Sequence, residues 1–275
     1  TPSVPVSIII PFRNEKDHLE ALVASLIHLK YPQLEVILVN DHSTDHSMAK
    51  LELLCKEIPF SYQLLELDGA EGKKAAINMG IAQAKGEVIL TTDADCELNP
   101  ECVEEMVRPF ANEQVKMVSG PVALSGKGLF QRWQAMEFAS LIALGAAGIR
   151  SGKPTMANGA NLAYRKSVFE EVGGFEGINQ TPSGDDELLL MKVRDAYADG
   201  IVFRKSTPAT VMTNAQENWS ALRQQRLRWA SKWKVGKRTA TQSVALFVFT
   251  VNLIWLLLPL FAYLDWVSPE APLRI

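Results

Sequence analysis

The sequence predicts an α/β fold with a largely parallel sheet, and three observations support this prediction. Short apolar runs alternate with amphipathic stretches through the first hundred residues, the pattern of successive βαβ units. The 275 residues are 47% hydrophobic and 21% charged, enough to bury a substantial core. Polar residues follow three of the apolar runs, where open α/β sheets bind their ligands. A folded catalytic or binding domain is therefore expected.

Apolar runs and periodicity indicate where the elements of this fold lie. The predicted strands are residues 6–10, 36–39, 62–65, 88–90 and 160–164. Helices are predicted around 19–26 and over 75–84, 129–149 and 186–198. The first helix has its apolar residues at i, i+3, i+4 and i+7, which are Leu19, Leu22, Val23 and Leu26. The third is long and apolar with a polar side, as expected of a buried or interfacial helix, and that side consists of Gln131, Arg132, Gln134 and Glu137.

The charge balance excludes one class of partner and divides the chain into two parts. The formal net charge of −3 argues against a nucleic-acid-binding protein, whose domain is normally basic. Residues 219–238, however, hold seven Lys and Arg side chains and no acidic one. The three cysteines have neither metal-ligand spacing nor an even number, which favours a reducing compartment over a disulfide framework.

An uncharged apolar stretch near the C-terminus predicts a membrane span. Residues 244–264 contain no charged side chain, and as a helix they would be about 31 Å long, enough for a hydrocarbon core of roughly 30 Å. The alternative is a buried C-terminal helix, which Pro259 would kink. Because basic residues flank spans on the cytoplasmic side, the preceding residues are expected to face the cytoplasm. The predicted localisation is thus a membrane, with a cytoplasmic catalytic domain.

Carboxylates follow two of the predicted strands. Asp93 and Asp95 are two residues apart at a strand end, so both side chains point the same way and could grip a divalent ion and a diphosphate. An isolated Asp-x-Asp is also common in turns. Asp41 follows another strand, and an ionised carboxylate there suits a ring N–H such as that of uracil. The alternative for Asp41 is a turn or helix-cap role, which Asp45 is better placed to fill.

Three acids, Asp185, Asp186 and Glu187, open a predicted helix after Gly184. Acids at a helix N-terminus commonly serve as caps and as partners of the helix dipole. Adjacent carboxylates also raise each other's proton affinity, as a general base at neutral pH requires. Both interpretations stay open at this stage.

A third set of candidate residues lies on a predicted basic helix near the C-terminus. Gln225, Arg228 and Trp229 stand at i, i+3 and i+4, so one helix face presents an amide, a guanidinium and an indole. Arg228 could neutralise a phosphate and Trp229 could stack on a sugar ring. The alternative is a juxtamembrane helix with Trp219, Trp229 and Trp233 at the bilayer interface.

Taken in order, these motifs resemble those of family 2 glycosyltransferases of the GT-A fold, over about residues 5–235. The matching segments are Ser7 to Glu15 (SIIIPFRNE), Val39 to Asp45 (VNDHSTD), Gly72 to Gly80 (GKKAAINMG), Asp93 to Asp95 (DAD), Asn158 to Arg165 (NGANLAYR), Gly184 to Glu187 (GDDE) and Gln225 to Trp229 (QRLRW). The last segment, with its Gln-x-x-Arg-Trp pattern, resembles the membrane-bound, often processive synthases of cellulose, hyaluronan, chitin and poly-N-acetylglucosamine. One departure is Asn40, where the family commonly has Asp.

The resemblance implies a role for each candidate residue. The implied nucleotide-binding residues are Pro11, Glu15 at the ribose, Asp41 at the uracil, Lys73 near the base, and Asp93. Asp93 and Asp95 would hold Mg²⁺ or Mn²⁺ with the diphosphate. Asp186 would be the general base with Asp185 beside it, and Gln225, Arg228 and Trp229 would form a lid over diphosphate and acceptor.

The implied protein has three parts and one reaction. Residues 1–215 would form a GT-A catalytic domain with a Rossmann-like mixed sheet, 216–240 a basic juxtamembrane lid helix and 244–264 a transmembrane helix. The expected reaction is inverting transfer from a UDP-sugar to a saccharide or lipid hydroxyl, building a β-linked polysaccharide. Transfer of a single sugar to one acceptor is the first alternative. A non-catalytic nucleotide-binding membrane subunit is the second.

Overall fold

A mixed sheet of seven strands organises the computed structural model, which describes residues 4–69, 71–177 and 184–231 and the single positions 250, 253, 254 and 257. The strands in chain order are β1 (Val6–Phe12), β2 (Leu34–Asn40), β3 (Ser61–Glu66), β4 (Val88–Thr91), β5 (Cys96–Glu97), β6 (Met117–Ser119), β7 (Val122–Ser125), β8 (Leu162–Arg165), β9 (Ile201–Phe203) and β10 (Val211–Asn214). The helices are α1 (Leu19–Ile27), α2 (Ser47–Leu54), α3 (Lys73–Gln83), α4 (Cys102–Val107), α5 (Leu129–Arg150), α6 (Lys166–Glu171), α7 (Asp185–Ala196) and α8 (Trp219–Ser231).

The strand order of the large sheet is β3-β2-β1-β4-β8-β6-β9. The first four of these run parallel, as the predicted βαβ pattern requires, and β8 then pairs antiparallel with both β4 and β6. A smaller sheet of three strands has the order β5-β10-β7. The predicted α/β class with a mixed sheet is therefore confirmed.

Strand register brings four chain segments to one edge of the large sheet. Phe12, at the end of β1, pairs with Asn40 at the end of β2, and Ile9 pairs with Thr91 at the end of β4. Because β8 is antiparallel, its first residue, Leu162, lies opposite Thr91. The residues that precede β8 therefore join the residues that follow β1, β2 and β4.

The core forms because the central strands are buried on both faces and helices cover them. Every residue of β1 and β2 is buried, as in parallel strands with helices on either side. In α1 the buried residues are the four that the periodicity predicts, namely Leu19, Leu22, Val23 and Leu26. Helix α3 approaches the sheet closely at Gly80, where a Cβ atom would meet Cγ2 of Ile9 at 2.6 Å. A side chain at this position would push the helix away from the sheet.

The long predicted helix is confirmed as α5; on its polar side Gln134 faces inward, whereas Arg132 is exposed. Gln134 is only 1% exposed, whereas Leu129 and Met136 are 85% and 68% exposed. Burial of Gln134 is possible because its side-chain amide pairs with the backbone of Gln216: the Gln216 N–H donates to Oε1 (3.0 Å), and Nε2 donates to the Gln216 carbonyl (2.9 Å). Glu137 forms an ion pair with Arg226 of α8. The apolar side of the N-terminal half of α5 is consequently exposed.

The predicted membrane span, residues 244–264, lies almost wholly outside the described residues. Among the residues that the structure describes, no helix combines the length and the apolar character needed to cross a bilayer. Described residues as far as Arg228 belong to one compact unit, and those from Trp229 onward belong to a second. The three-part division into 1–215, 216–240 and 244–264 stays a prediction.

Candidate active site

Asp41 follows β2 directly and is almost buried, with 9% of its side chain exposed. Its backbone N–H donates to the Phe12 carbonyl (2.8 Å), which aligns it with the end of β1. Oδ1 of Asp41 accepts a hydrogen bond from the Gly72 N–H (3.1 Å) and lies 3.1 Å from Nδ1 of His42. The Arg13 guanidinium lies 3.9 Å from Oδ2. Asp41 is thus a nearly buried acceptor beside the start of α3.

The loop after β1 is fastened to the loop after β2 by short polar side chains. Asn14 has a left-handed backbone, with φ of 56°, and its side-chain oxygen accepts from the Thr44 N–H (2.7 Å). Asp45 accepts from the Lys16 N–H (3.0 Å) through Oδ2, and from the N–H and hydroxyl of Ser47 through Oδ1. Asp45 therefore has the turn role expected for it, and the two loops form one unit.

Glu15 lies on this unit and faces other carboxylates. The Ser47 hydroxyl accepts its N–H (3.0 Å). Burial, followed by the negative charges of Asp95, Asp93 and Asp45, raises the pKa of Glu15 from 4.5 to about 7, and Arg228 opposes this rise. The loop after β1, the segment after β4 and helix α8 are therefore close together. At Glu15 the effect of burial and of the neighbouring carboxylates is greater than the opposing effect of Arg228.

Asp93 and Asp95 have different partners. Oδ1 of Asp93 lies 2.5 Å from the Lys73 ammonium, at the first residue of α3. Asp95 accepts from the Thr213 hydroxyl (3.2 Å), on β10, and from the Cys96 thiol (3.5 Å). The small sheet thus positions Asp95, and the first residue of α3 holds Asp93.

The donor set fits a divalent cation of the magnesium class. Within the described ranges no group of three or more His, Cys, Asp or Glu side chains is arranged to hold a metal. Mg²⁺ is commonly held by only one or two carboxylates, with substrate phosphates and water completing the shell. Asp93 and Asp95 can supply those oxygens. A cation beside them would also offset the negative charge that raises the pKa of Glu15.

Lys73 joins the two acidic motifs of the sequence. Besides Asp93, its ammonium lies 3.6 Å from Oδ2 of Asp185. Burial alone would lower the pKa of Lys73, but Asp185, Asp93 and Asp186 raise it well above 10.5. Lys73 therefore remains a cation between the residue after β4 and the start of α7.

Two backbone N–H groups donate to the carboxylate of Asp186. Its Oδ2 accepts from the Gly159 N–H (3.1 Å), and its Oδ1 accepts from the Glu187 N–H (2.8 Å). The N-cap position itself is Gly184, in a left-handed conformation with φ of 90°. The carboxylate of Asp186 is thereby oriented toward the segment that precedes β8.

Three residues with no role predicted from the sequence, Gly159, Thr91 and Tyr164, lie beside these acids or fix the segment that contacts them. At Gly159 a Cβ atom would lie 3.2 Å from Oδ2 of Asp185 and 3.4 Å from the Lys73 ammonium. The Thr91 hydroxyl donates to the Gly159 carbonyl (2.9 Å) and so fixes this position to the end of β4. Tyr164 is buried, and its hydroxyl has no hydrogen-bond partner among the described residues. Burial and Asp185 raise its pKa. Gly159 and Tyr164 both belong to the motif Asn158 to Arg165 (NGANLAYR), and that motif is the feature of the sequence that points to them.

The remaining candidates lie on α8 and in β1. Gln225 precedes Arg228 by one turn of α8, and Arg228 is close enough to Glu15 to affect its pKa. Trp229 follows on the same helix but falls in the second unit. Pro11 is buried within β1. The structure thus brings together Glu15, Lys73, Asp93, Asp95, Asp185, Asp186 and Arg228. Asp41 is connected to the same region because it accepts a hydrogen bond from Gly72, the residue before α3.

Comparison with known proteins agrees with this architecture. A probable glycosyltransferase of Bacillus subtilis, YdaM, is 28% identical over 82% of this chain and 54% of its own length. A poly-beta-1,6-N-acetyl-D-glucosamine synthase of Staphylococcus epidermidis is 25% identical over 82% of this chain and 53% of its own. The chain spans about half the length of these curated relatives.

Solved structures share the fold. A mannosyltransferase of Pyrobaculum calidifontis, solved with GDP-Man and Mn²⁺, superposes with a TM-score of 0.66 at 21% identity, covering 87% of this chain and 67% of that one. Residues 1–349 of TarS from S. aureus, solved with UDP, give 0.57 at 18%, covering 77% and 61%. The family model described as glycosyl transferase family 2 matches residues 7–173, more than half of the chain. With its GT-A-like mixed sheet, the chain therefore belongs to glycosyl transferase family 2.

Proposed function

We propose that this protein is an inverting glycosyltransferase that moves a sugar from a UDP-sugar to a hydroxyl acceptor at the cytoplasmic face of a membrane. The observation that carries the proposal is the link made by Lys73, whose ammonium contacts both Asp93 and Asp185. Lys73 therefore places Asp93, which we assign to the metal and diphosphate, next to Asp185 and Asp186, which we assign to the acceptor side. Donor and acceptor sites must adjoin in this way for direct transfer.

The nucleotide is assigned to the edge formed by β1, β2 and α3. Asp41 is the acceptor for the uracil N–H, since it is nearly buried and its orientation is set by Gly72. Glu15 is assigned to the ribose, and Pro11, which is buried in β1, and Lys73, near the base, are assigned to nucleotide binding. TarS was solved with UDP and the Pyrobaculum calidifontis mannosyltransferase with GDP-Man, so the uridine assignment rests on Asp41.

Asp186 is assigned as the general base. The acceptor oxygen forms a bond to the anomeric carbon while the bond from that carbon to the diphosphate oxygen breaks, and Asp186 takes the acceptor proton. Hydrogen bonds from Gly159 and Glu187 hold the carboxylate for this role. Asp185 lies beside it and is paired with Lys73. One carboxylate is enough because the diphosphate leaves without a proton, unlike the leaving group of a glycosidase.

Asp93 and Asp95 are assigned to Mg²⁺ or Mn²⁺. When bound, the ion supplies positive charge to the leaving diphosphate. The Thr213 hydroxyl orients Asp95 for this contact. Arg228 is assigned to the diphosphate because it already acts on Glu15 at the same place, and Gln225 and Trp229 complete the proposed lid on α8.

The membrane assignment is supported by an exposed apolar surface on α5 and α8, here called the α5–α8 surface. Its members are Leu129, Trp133, Met136, Trp219 and Leu227. The rings of Trp133 and Trp219 are 5.7 Å apart and both contact Phe130. Exposed Arg132 and Arg223 belong to the same helices. Aromatic and basic side chains together are typical of membrane interfaces.

The product is proposed to be a β-linked polysaccharide. The Staphylococcus epidermidis relative is named as a polymer synthase, and inversion of an α-linked donor produces a β-linkage. The single-sugar alternative differs only in the length of the product. That length is therefore the property to measure.

The direct test incubates the full chain with UDP-glucose, UDP-N-acetylglucosamine and, as a competing nucleotide, GDP-mannose. We expect release of UDP from one of the UDP-sugars in the presence of Mg²⁺ or Mn²⁺, together with a product whose size grows with time. Asp186→Asn is the inactive control. Release of GDP alone would reject the uridine assignment, and a product of one added sugar would reject the polymer. No nucleotide release from any donor would reject the enzyme.

A further inference from the structure

The ammonium of Lys73 lies between two carboxylates, where a positive charge is stabilised. It lies 2.5 Å from Oδ1 of Asp93 and 3.6 Å from Oδ2 of Asp185, and the lysine side chain is 31% exposed. These carboxylates follow β4 and open α7, so the contact joins two parts of the fold. A lysine that only packed against a nucleoside base would not need its charge there.

The surroundings keep the charge of Lys73 in this position. The lysine begins α3, whose Gly72 N–H is held by Asp41. On the other side lies Gly159, whose Cβ position is 3.4 Å from the ammonium, an ordinary contact distance. The ammonium is therefore enclosed between the nucleotide edge and the acids of α7.

We propose that Lys73 is the resident counter-ion of this site: it holds Asp93 until a donor arrives, competes with the divalent cation for that carboxylate, and adds a fixed positive charge for the diphosphate. This inference rests on the proposed function. In this scheme Lys73 acts on the metal through Asp93 and on the diphosphate through its own charge.

Electrostatics gives the proposal two effects of opposite sign. A divalent cation at Asp93 must separate that carboxylate from Lys73 and then remain near a like charge, so removing the lysine charge strengthens metal binding. The diphosphate is an anion, so removing the same charge weakens nucleotide binding when no metal is present. A residue that only supports the fold would change both affinities in the same direction.

The test compares Lys73→Met, which keeps the length of the side chain without its charge, with Lys73→Arg, which keeps the charge. Mn²⁺ binding without nucleotide is followed by electron paramagnetic resonance, and UDP and uridine binding in EDTA by calorimetry. For Lys73→Met we expect Mn²⁺ to bind on the order of tenfold tighter and UDP on the order of tenfold weaker. Uridine should bind as before, because it has no diphosphate. Lys73→Arg should resemble the wild type, as should Lys85→Met, a change at an exposed lysine just beyond α3.

Unchanged or weaker Mn²⁺ binding in Lys73→Met overturns the inference, and an equal loss of UDP and uridine binding shows contact with the base instead. If Lys73→Met does not fold, Asp185→Asn gives the second measurement. That change removes one of the two carboxylates that hold Lys73, leaves the lysine to Asp93, and should weaken Mn²⁺ binding severalfold. Unchanged Mn²⁺ binding in Asp185→Asn also overturns the inference. Sugar transfer by the wild type is measured separately, so the inference can fail while the proposed function stands.

Discussion

The backbone N–H of Gly159 donates a 3.1 Å hydrogen bond to Oδ2 of Asp186. The carboxylate proposed as the general base is therefore oriented by the segment before β8, which is itself fixed to Thr91 at the end of β4. Gly159 therefore connects β4, the strand before Asp93, to Asp186, the acid proposed to receive the acceptor proton. A change at either end of this link should affect catalysis more than folding.

Replacing Asp186 with Asn tests the base. Turnover should fall by a factor of roughly 10²–10⁴, because asparagine cannot accept the proton but retains the size and an oxygen acceptor for Gly159. The thermal midpoint and UDP affinity should change little. Asp185→Asn should be milder, since that residue is paired with Lys73 and does not receive the proton in our scheme. Near-normal turnover in Asp186→Asn would remove the residue from the mechanism.

Gly159→Ala tests the support of the two acids. The added Cβ would lie 3.2 Å from Oδ2 of Asp185 and 3.5 Å from Cβ of Asp186, so we expect a severalfold loss of kcat with little change in the thermal midpoint. Gly145→Ala on α5 is the matched control, because its Cβ would meet the Met156 carbonyl at a similar 3.3 Å. Equal loss of turnover in both variants would contradict a specific role for Gly159.

The raised pKa of Glu15 predicts a pH dependence of stability. The folded state binds the Glu15 proton more tightly than the unfolded state, so the free energy of unfolding should fall as the pH rises from 4.5 through about 7, and level off above. Glu15→Gln should remove this fall, which thermal midpoints at pH 5.5 and 8 would show. Glu20→Gln is the control, because a hydrogen bond from Lys50 lowers the pKa of Glu20 and its effect lies below that range. A wild-type slope that persists in Glu15→Gln would mean that another group is responsible.

Metal removal should abolish turnover and weaken UDP binding. Excess EDTA should reduce sugar transfer to background, and Asp95→Ala should eliminate the dependence of UDP affinity on Mn²⁺, because Asp95 supplies one of two carboxylates. Asp199→Ala, at an exposed aspartate, is the control. Full turnover in EDTA would show that the ion is dispensable.

The α5–α8 surface should contribute to membrane binding. Met136→Gln and Leu129→Gln should each reduce sedimentation with anionic liposomes, because they replace exposed apolar contacts. Leu53→Gln is a matched control, since Leu53 is 66% exposed but lies on α2. If liposome binding is unchanged in Met136→Gln and Leu129→Gln, or is lost only in Leu53→Gln, the α5–α8 surface does not contribute to membrane binding.

Removing residues 240–275 tests the predicted span separately. The shortened chain should be more soluble and should keep its thermal midpoint, because the apolar run 244–264 would no longer need lipid or detergent. Unfolding of the shortened chain would show instead that this segment contributes to a core. Partition of the full chain into water without detergent would have the same meaning.

The central sheet could be predicted because its strands are buried on both faces and therefore appear as continuous apolar runs. Helix α1 was equally clear, since all its buried residues share one face. Short strands such as β5 and β9, with two and three residues, give no periodicity to detect. Helix α5 was predicted in extent but not in orientation, because burial of Gln134 depends on the backbone of Gln216, far away in the chain.

For the candidate site, the motifs and the topology predicted which carboxylates would meet, because parallel strands end at one edge. They did not predict the partners of Lys73. Its contact with Asp185 depends on where α7 begins relative to α3. Such contacts follow from packing between distant segments rather than from local pattern.

The antiparallel insertion of β8 has a consequence for how the chain acquires its structure. During synthesis β4 emerges long before β8, so its free edge stays without a partner until residues 162–165 have appeared. Open strand edges of this kind are where chains pair wrongly with one another. The small sheet forms later still, since β5 cannot pair until β10 has been synthesised. Such long-range pairing slows folding, so ribosome-bound intermediates should depend on chaperones during this interval.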